Sequence, residues 1–464
     1  MRIFNTLTRK KEDFVPLKAG EVGMYVCGVT VYDLSHVGHA RSSIVFDVIR
    51  RYLTFKGLHV RFVKNYTDVD DRIIRKANEA GVSSREISER YVAEFDRDMA
   101  ALRVLPPDVA PKATEHIPQM VELIERLIAA GHAYVIDGDV YFEISTFPAY
   151  GRLSGKNLDE LLAGARVDVD ERKRDPRDFA LWKAAKPGEP QWASPWGPGR
   201  PGWHIECSAM SMEYLGESFD IHGGGEDLIF PHHECEIAQS EAVTRRPLSR
   251  YWAHNAFVNM NTEKMSKSLG NTLWIRDVVK RHSADAIRLW VVGTHYRNPI
   301  EYGEERLRES ESALQTLWSP VEQARKLAGS ESSGAAAREL APEFAVYRQR
   351  FIDAMDDDFN TPQALGVLYE FGRELNRGGG HGVEAIVRGT RELSTLIQAL
   401  GFAEPARDEV SADLRARVDT LIHERAAARQ RRDWKRADEI RAEVDALGVV
   451  LEDSPAGTIW RRKA

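Results

Sequence analysis

The chain has 464 residues, 43% of them hydrophobic and 29% charged, with a formal net charge of −7; at roughly 150 residues per domain this is about three ordinary globular domains. No apolar run approaches the roughly 18 residues of a membrane span, the opening MRIFNTLTRKKEDF carries no apolar signal core, and the mild acidity argues against a protein that coats nucleic acid while leaving local basic patches open. Three cysteines, Cys27, Cys207 and Cys235, are too few for a disulfide framework; they suit a reducing compartment and leave metal binding open.

Residues 1–20 are polar and read as a lead-in strand and loop, followed by a buried strand over 23–27. His36-Val37-Gly38-His39 then opens a helix running to about 55, because Ile44, Val45, Val48, Ile49, Tyr52 and Leu53 form one stripe at helical spacing. Residues 59–66 are rich in β-branched and aromatic side chains and give a second strand, ending in Thr67. Strand, helix, strand is the right-handed crossover unit of a parallel sheet. Two helices follow, broken near Gly81 and stopped at Pro106-Pro107; then come a helix over 116–130 and a hairpin about Asp137-Gly138. Residues 186–202 are rich in Pro and Gly and, with Trp192, Trp196 and the adjoining Trp203, read as an ordered loop. Next come a helix over 204–215, a short strand over 218–222 running into Gly223-Gly224-Gly225, a helix from about 231, and a strand over 252–258. Lys264-Met265-Ser266-Lys267-Ser268 follows, and helices dominate from 275. Residues 330–337 read as a linker, 378–380 as a glycine-rich break and 449–460 as a strand-like tail.

Five features bear on chemistry. Glycine in HVGH allows close backbone approach to a nucleotide, and two histidines at a helix start can donate to phosphate oxygens, against the plainer reading of surface histidines near a turn. KMSKS supplies two lysines able to clamp a triphosphate, against the plainer reading of a charged loop. His222-Gly-Gly-Gly-Glu-Asp227 is either a flexible turn or a backbone cradle for adenosine, with Asp227 accepting from a ribose hydroxyl. Cys27, Cys207, His232 and Glu236 are all zinc-ligand types, and His232 and Glu236 fall at i, i+4 on one expected helix. Cys235, at i+3 from His232, also reaches that face, whereas His233 and Glu234 should point elsewhere. On spacing alone, two buried cysteines beside a solvated His–Glu pair account for the same residues. Near the end, Arg415 to Lys463 carries twelve Lys/Arg and nine Asp/Glu; this is a solvated helix face or, with Trp434 among the arginines, a surface for stacking on unpaired bases.

HVGH, KMSKS, the GGGED turn and the segments GARVDVDERKRDPRDFALWK and SPWGPGRPGWHIECSAM together resemble the class I aminoacyl-tRNA synthetases, and among them the cysteinyl-tRNA synthetases. The resemblance runs from Tyr25 to the closing GTIWRRK. It implies an α/β fold: a Rossmann-type parallel-sheet catalytic domain with an insertion, then an all-α C-terminal tRNA-binding region with a small strand-like tail. The implied division is 1–105 and 201–270 for the two catalytic halves, 106–200 for the connective insertion, 271–330 for a stem-contact helical region and 331–464 for the anticodon-binding domain. It implies that His36, His39, Lys264 and Lys267 stabilise phosphate charge, with Lys267 nearest the phosphates. Gly28, Gly38, Gly224 and Asp227 would hold ATP, which brings Mg²⁺. Cys27, Cys207, His232 and Glu236 match the family's four ligands to one zinc ion per chain, and Cys235 departs from the non-ligating residue common at its position. Thr67 and Trp203 match the cysteine-pocket wall, and Arg429, Trp434, Asp438 and Asp453 the anticodon-reading positions. The implied partners are tRNA-Cys, L-cysteine and ATP, for a cytoplasmic monomer with no membrane contact. Two rivals are a ligase joining cysteine to an amino sugar in mycothiol synthesis and a non-catalytic tRNA-binding paralogue. The tail beyond the linker argues against the first, and intact HVGH and KMSKS against the second.

Overall fold

The computed structural model describes the chain except residues 156–170, 261–262, 265–271, 329–341, 379–380, 406–411, 432, 455–456 and 463–464. Two compact units are present, Met1–Glu404 and Pro405–Ala464.

The first unit is organised on a four-stranded sheet of Glu21–Thr30 (β1), His59–Thr67 (β2), Phe219–Gly225 (β3) and Ser249–Asn255 (β4). Its spatial order is β4-β3-β1-β2 and every pairing is parallel. Alternation along β1 sorts its side chains by face. Val22, Met24 and Val26 join one core with the helix Val37–Phe55 (α1), while Tyr25 and Cys27 join another with the helices Trp203–Leu215 (α2) and Glu234–Thr244 (α3). Both faces are covered by helices, as a parallel sheet requires. The apolar stripe of α1 is buried as its spacing predicts.

Three expectations need correction. The first residues form a hairpin, Arg2–Asn5 with Lys10–Asp13, rather than a strand and loop. The glycines of 223–225 finish β3 rather than making a turn. Gly223 suits that position because a Cβ there would sit 2.3 Å from the Phe46 ring on α1. The helix expected from 231 starts at Glu234; before it, Ile229–His233 forms a single wide turn with Phe230 extended.

Between β2 and β3 the chain inserts the helices Asp71–Ala80, Ser84–Ala101 and Ile117–Ala129. An antiparallel sheet follows, of Ala133–Ile136, Asp139–Phe142, Phe179–Ala184 and Gly199–Pro201. The proline- and glycine-rich stretch is thus a loop whose last residues pair as a strand. After β4 a small sheet joins Val258–Met260 to Glu263–Lys264 and to Ile300–Glu301. The helices Ala284–Val292, Glu304–Ala328, Ala345–Asp356, Thr361–Arg377 and Val383–Ala399 complete the unit. The linker expected at 330–337 lies outside the described residues. No helix of the described residues is long and apolar enough to cross a membrane.

A fully buried ion pair ties α1 to the helices behind it. Arg288 Nη1 donates to Asp47 Oδ2 at 2.7 Å, and Asp47 also accepts from Arg51 at 2.8 Å and from the Leu105 amide at 3.0 Å. Removing one partner strands a buried charge. Asp47→Ala is therefore expected to lower the unfolding free energy by about 3–5 kcal/mol, read as a fall in denaturant midpoint.

In the second unit, Ala412–Gln430 and Trp434–Ala446 pack with a hairpin, Val449–Ser454 and Gly457–Arg462, around Val418, Ile440, Val444 and Val449.

Candidate active site and metal centre

A cavity of about 480 Å³ lies at the carboxyl edge of the parallel sheet. In open α/β sheets this edge is where ligands sit, because strand ends and helix N-termini leave backbone groups free there. Gly28, His36, Gly38, His39 and Asp227 all line it, as do Cys27 and Trp203. Gly224 lies behind the wall, where a Cβ would meet Leu228 at 2.9 Å and His233 at 3.0 Å. Thr67 is buried with its hydroxyl donating to Glu206 Oε2 at 2.7 Å.

HVGH forms the entry to α1. The His36 amide donates to His39 Nδ1 at 3.3 Å, and the two imidazoles stack with centroids 3.8 Å apart. Arg41, one turn on, fixes this end of the helix by donating to the carbonyls of Phe257, Tyr296 and Asn298. Burial lowers its pKa to about 10, and the Glu226 carboxylate works against that shift. The backbone of Lys264 pairs with Asn259, whereas Lys267 lies outside the described residues. A few residues beyond KMSKS the chain is strapped to HVGH: Val37 donates to the Leu273 carbonyl at 3.0 Å, and Ile275 to the Ser35 carbonyl at 2.9 Å.

On the opposite face of β1, Cys27, Cys207, His232 and Glu236 are buried, with one donor atom from each within 4.8 Å of the others. Cys27 comes from β1, Cys207 from α2, His232 from the wide turn and Glu236 from the first turn of α3. Glu236 Oε1 lies 3.2 Å from both Cys27 Sγ and His232 Nε2. The His232 ring is held by Trp203, stacked at 4.3 Å, and by His204 at 2.9 Å.

The electrostatics suit a cation. Burial pushes both the Cys27 and Cys207 thiols up and drops His232 to about 3, leaving a neutral imidazole. Burial also pushes Glu236 up, but His222, His232 and Cys27 outweigh it and hold the carboxylate below its usual range. Two sulfurs, an imidazole and a carboxylate converging in a buried cluster are a fitting set for a divalent metal, which would offset the cost of deprotonating the thiols.

Sequence spacing misplaced two neighbours. His233 does not point elsewhere: its Nε2 lies 3.9 Å from Glu236 Oε1, and it joins Cys27, His222 and Glu236 in a second, overlapping donor set. The cause is the wide turn, which breaks the helical-wheel argument at 229–233. His222 was missed as a neighbour of the metal site; its Nε2 is 2.8 Å from Glu236 Oε2 and its ring stacks on Trp252 at 4.4 Å. Running the strand through Gly225 would have revealed it, since His222 lies opposite Tyr25 in register. Glu234 does point away, accepting from the Ser154 amide at 2.8 Å, and Cys235 Sγ contacts the Tyr150 hydroxyl at 3.2 Å.

Residues 13–312 match the family model of the tRNA synthetases class I (C) catalytic domain, 350–404 the DALR domain, and 411–461 the cysteinyl-tRNA ligase anticodon binding domain. A protein of Geobacter metallireducens named cysteine–tRNA ligase is 51% identical over 483 residues, covering 100% of both chains. The chain belongs to the cysteinyl-tRNA synthetase family. A second member of the family, from Trichlorobacter lovleyi, is 52% identical over 488 residues with the same coverage. Among solved structures, a Mycobacterium tuberculosis methionyl-tRNA synthetase bound by methionyl-adenylate shares the fold, with a TM-score of 0.63 at 17% identity, over 82% of this chain and 92% of that one.

Within the synthetase's last matched segment, Arg429 is exposed in the final turn of one helix and Trp434 opens the next, 59% exposed. Asp438 is exposed one turn later, and Asp453 sits on the tail hairpin opposite Thr458.

Proposed function

We infer that the chain joins L-cysteine to tRNA-Cys at the expense of ATP, as its full-length kinship with cysteine–tRNA ligases implies. The cysteine carboxylate attacks the α-phosphorus of ATP and pyrophosphate leaves; the 2′-hydroxyl of the terminal adenosine then takes the acyl group from the adenylate and AMP leaves. The observation that carries the site assignment is a single cavity lined by HVGH and by Cys27, the one member of the donor cluster among its lining residues.

In this reading His36 and His39 donate to phosphate oxygens as charge spreads, and Lys264 and Lys267 close over them, with Mg²⁺ accompanying ATP. Gly28, Gly38, Gly224 and Asp227 shape the nucleotide pocket. Cys27, Cys207, His232 and Glu236 would hold one zinc ion, which when bound supplies a preference for thiolate over hydroxyl. Trp203 packs on His232 and with Thr67 walls the side-chain pocket. Arg429, Trp434, Asp438 and Asp453 read unpaired anticodon bases by stacking and polar contact. The domain division proposed is 1–105, 106–200, 201–270, 271–330 and 331–464, in a cytoplasmic monomer.

Cysteine-dependent exchange of labelled pyrophosphate into ATP tests activation, and charging of a tRNA-Cys transcript tests transfer; absence of both from metal-loaded protein sinks the reading. Lys267→Ala is expected to slow exchange about 10²–10³-fold, the usual cost of losing one charge-stabilising donor, with metal content by mass spectrometry unchanged.

A further inference from the structure

Two cations on the cavity wall, Lys64 and Arg72, are not used by the scheme above. Lys64 lies near the carboxyl end of β2, and its neighbours at alternate positions, Val60, Phe62 and Tyr66, belong to the α1-side core. Its side chain is therefore on the HVGH side of the sheet. The ammonium lies 2.9 Å from Ser43 Oγ and 5.2 Å from the centre of the Phe95 ring, and all three residues line the cavity. Ser43 is four residues past His39 on α1, so the two share a helix face. The ammonium thus sits about one helical turn from the second histidine of the motif.

What marks Lys64 out is its missing counter-ion. Arg72, also on the cavity wall, is paired with Asp70 at 2.8 Å. Lys64 pairs with no carboxylate among the described residues; a hydroxyl and an aromatic face are its neighbours. Burial alone lowers its pKa, to about 8. A half-buried ammonium with no anion is held at a cost, and an anion arriving from the cavity would relieve it.

We propose that Lys64 binds a phosphate group in the α1-side arm of the cavity, one turn along from His39. The proposal rests on the synthetase reading for the identity of the anion. Two substrates of that reaction bring phosphate: ATP and the 3′ end of the tRNA. Charge-assisted hydrogen bonds to phosphate are worth about 1.5–3 kcal/mol, or roughly ten- to a hundredfold.

The test compares Lys64→Met and Lys64→Arg with the native full-length chain. Calorimetric affinity for ATP with Mg²⁺ is read alongside single-turnover transfer from preformed adenylate to a tRNA-Cys transcript. A tenfold or greater loss of ATP affinity in Lys64→Met, restored in Lys64→Arg, assigns the phosphate to ATP. Unchanged ATP affinity with transfer at sub-saturating tRNA slowed tenfold or more, again restored by arginine, assigns it to the tRNA. Native values for Lys64→Met in both measurements overturn the proposal, as does a loss that arginine does not restore. If the native chain showed no exchange activity, the functional reading would fall, and direct titrations of ATP and of the tRNA-Cys transcript would still decide Lys64.

Discussion

Alanine at Cys207 is expected to leave a chain that binds almost no metal and activates cysteine about 10⁴-fold more slowly, a loss of roughly 5.5 kcal/mol in kcat/KM. Cys207 is 1% exposed at the start of α2, and the nearby Asn65 carboxamide, 3.7 Å from its sulfur, is already engaged by the Gly28 amide. The neighbouring thiol, Cys235, is turned toward the Tyr150 hydroxyl at 3.2 Å rather than toward this cluster. With three donors left and Cys27 the one sulfur among them, the site is less soft and its preference for sulfur weakens. Serine and cysteine should then differ far less in pyrophosphate exchange than in the native chain. Cys235→Ser is the matched control, expected to keep a full complement of metal. Should metal analysis show the reverse pattern, with Cys235→Ser empty and Cys207→Ala loaded, the donor assignment is wrong.

Gly28→Ala is expected to unsettle the fold and the site together. A Cβ at Gly28 would lie 1.6 Å from the Asn65 carbonyl oxygen and 2.7 Å from its carbon. Those are backbone atoms of β2, so no rotamer change relieves the clash. The two strands already shift register here, between Val26 and Val29, and Asn65 Oδ1 accepts the Gly28 amide at 2.8 Å. Prying them apart should lower stability by about 3–5 kcal/mol, seen as an early unfolding transition in denaturant. Exchange activity should be lost even where the protein remains folded, since Cys27 is the neighbouring residue. A variant with native stability would show that the strands separate there at little cost.

The sequence was read well where periodicity is strong. The stripe of α1 predicted its helix, and the β-branched run at 59–66 predicted β2 to within one residue. Position at the cavity is legible where a motif is dense, as in HVGH, whose histidines stack at the cavity wall. It was less legible where conformation departs from a regular wheel. His233 was misplaced because 229–233 is a wide turn, and His222 was overlooked because three glycines look like a turn but here let α1 lie close against β3. Lys64 was unremarkable in sequence: only tertiary packing reveals a lysine whose partners are a hydroxyl and a ring. Gly28 was read as room for a nucleotide, whereas contact with Asn65 is a separate reason that no larger residue fits.

The alternation along β1 has an evolutionary consequence. The donors proposed for the amino acid's side chain come from Cys27, α2, the wide turn and α3, whereas the histidines proposed for the nucleotide come from the start of α1 across the sheet, and the two sets share the cavity only where Cys27 and Trp203 reach its wall. On that reading, substitutions among the donors behind the sheet are expected to change which side chain is accepted while leaving the α1 histidines in place. A scaffold divided in this way would let the choice of amino acid drift on one face while the other keeps its arrangement.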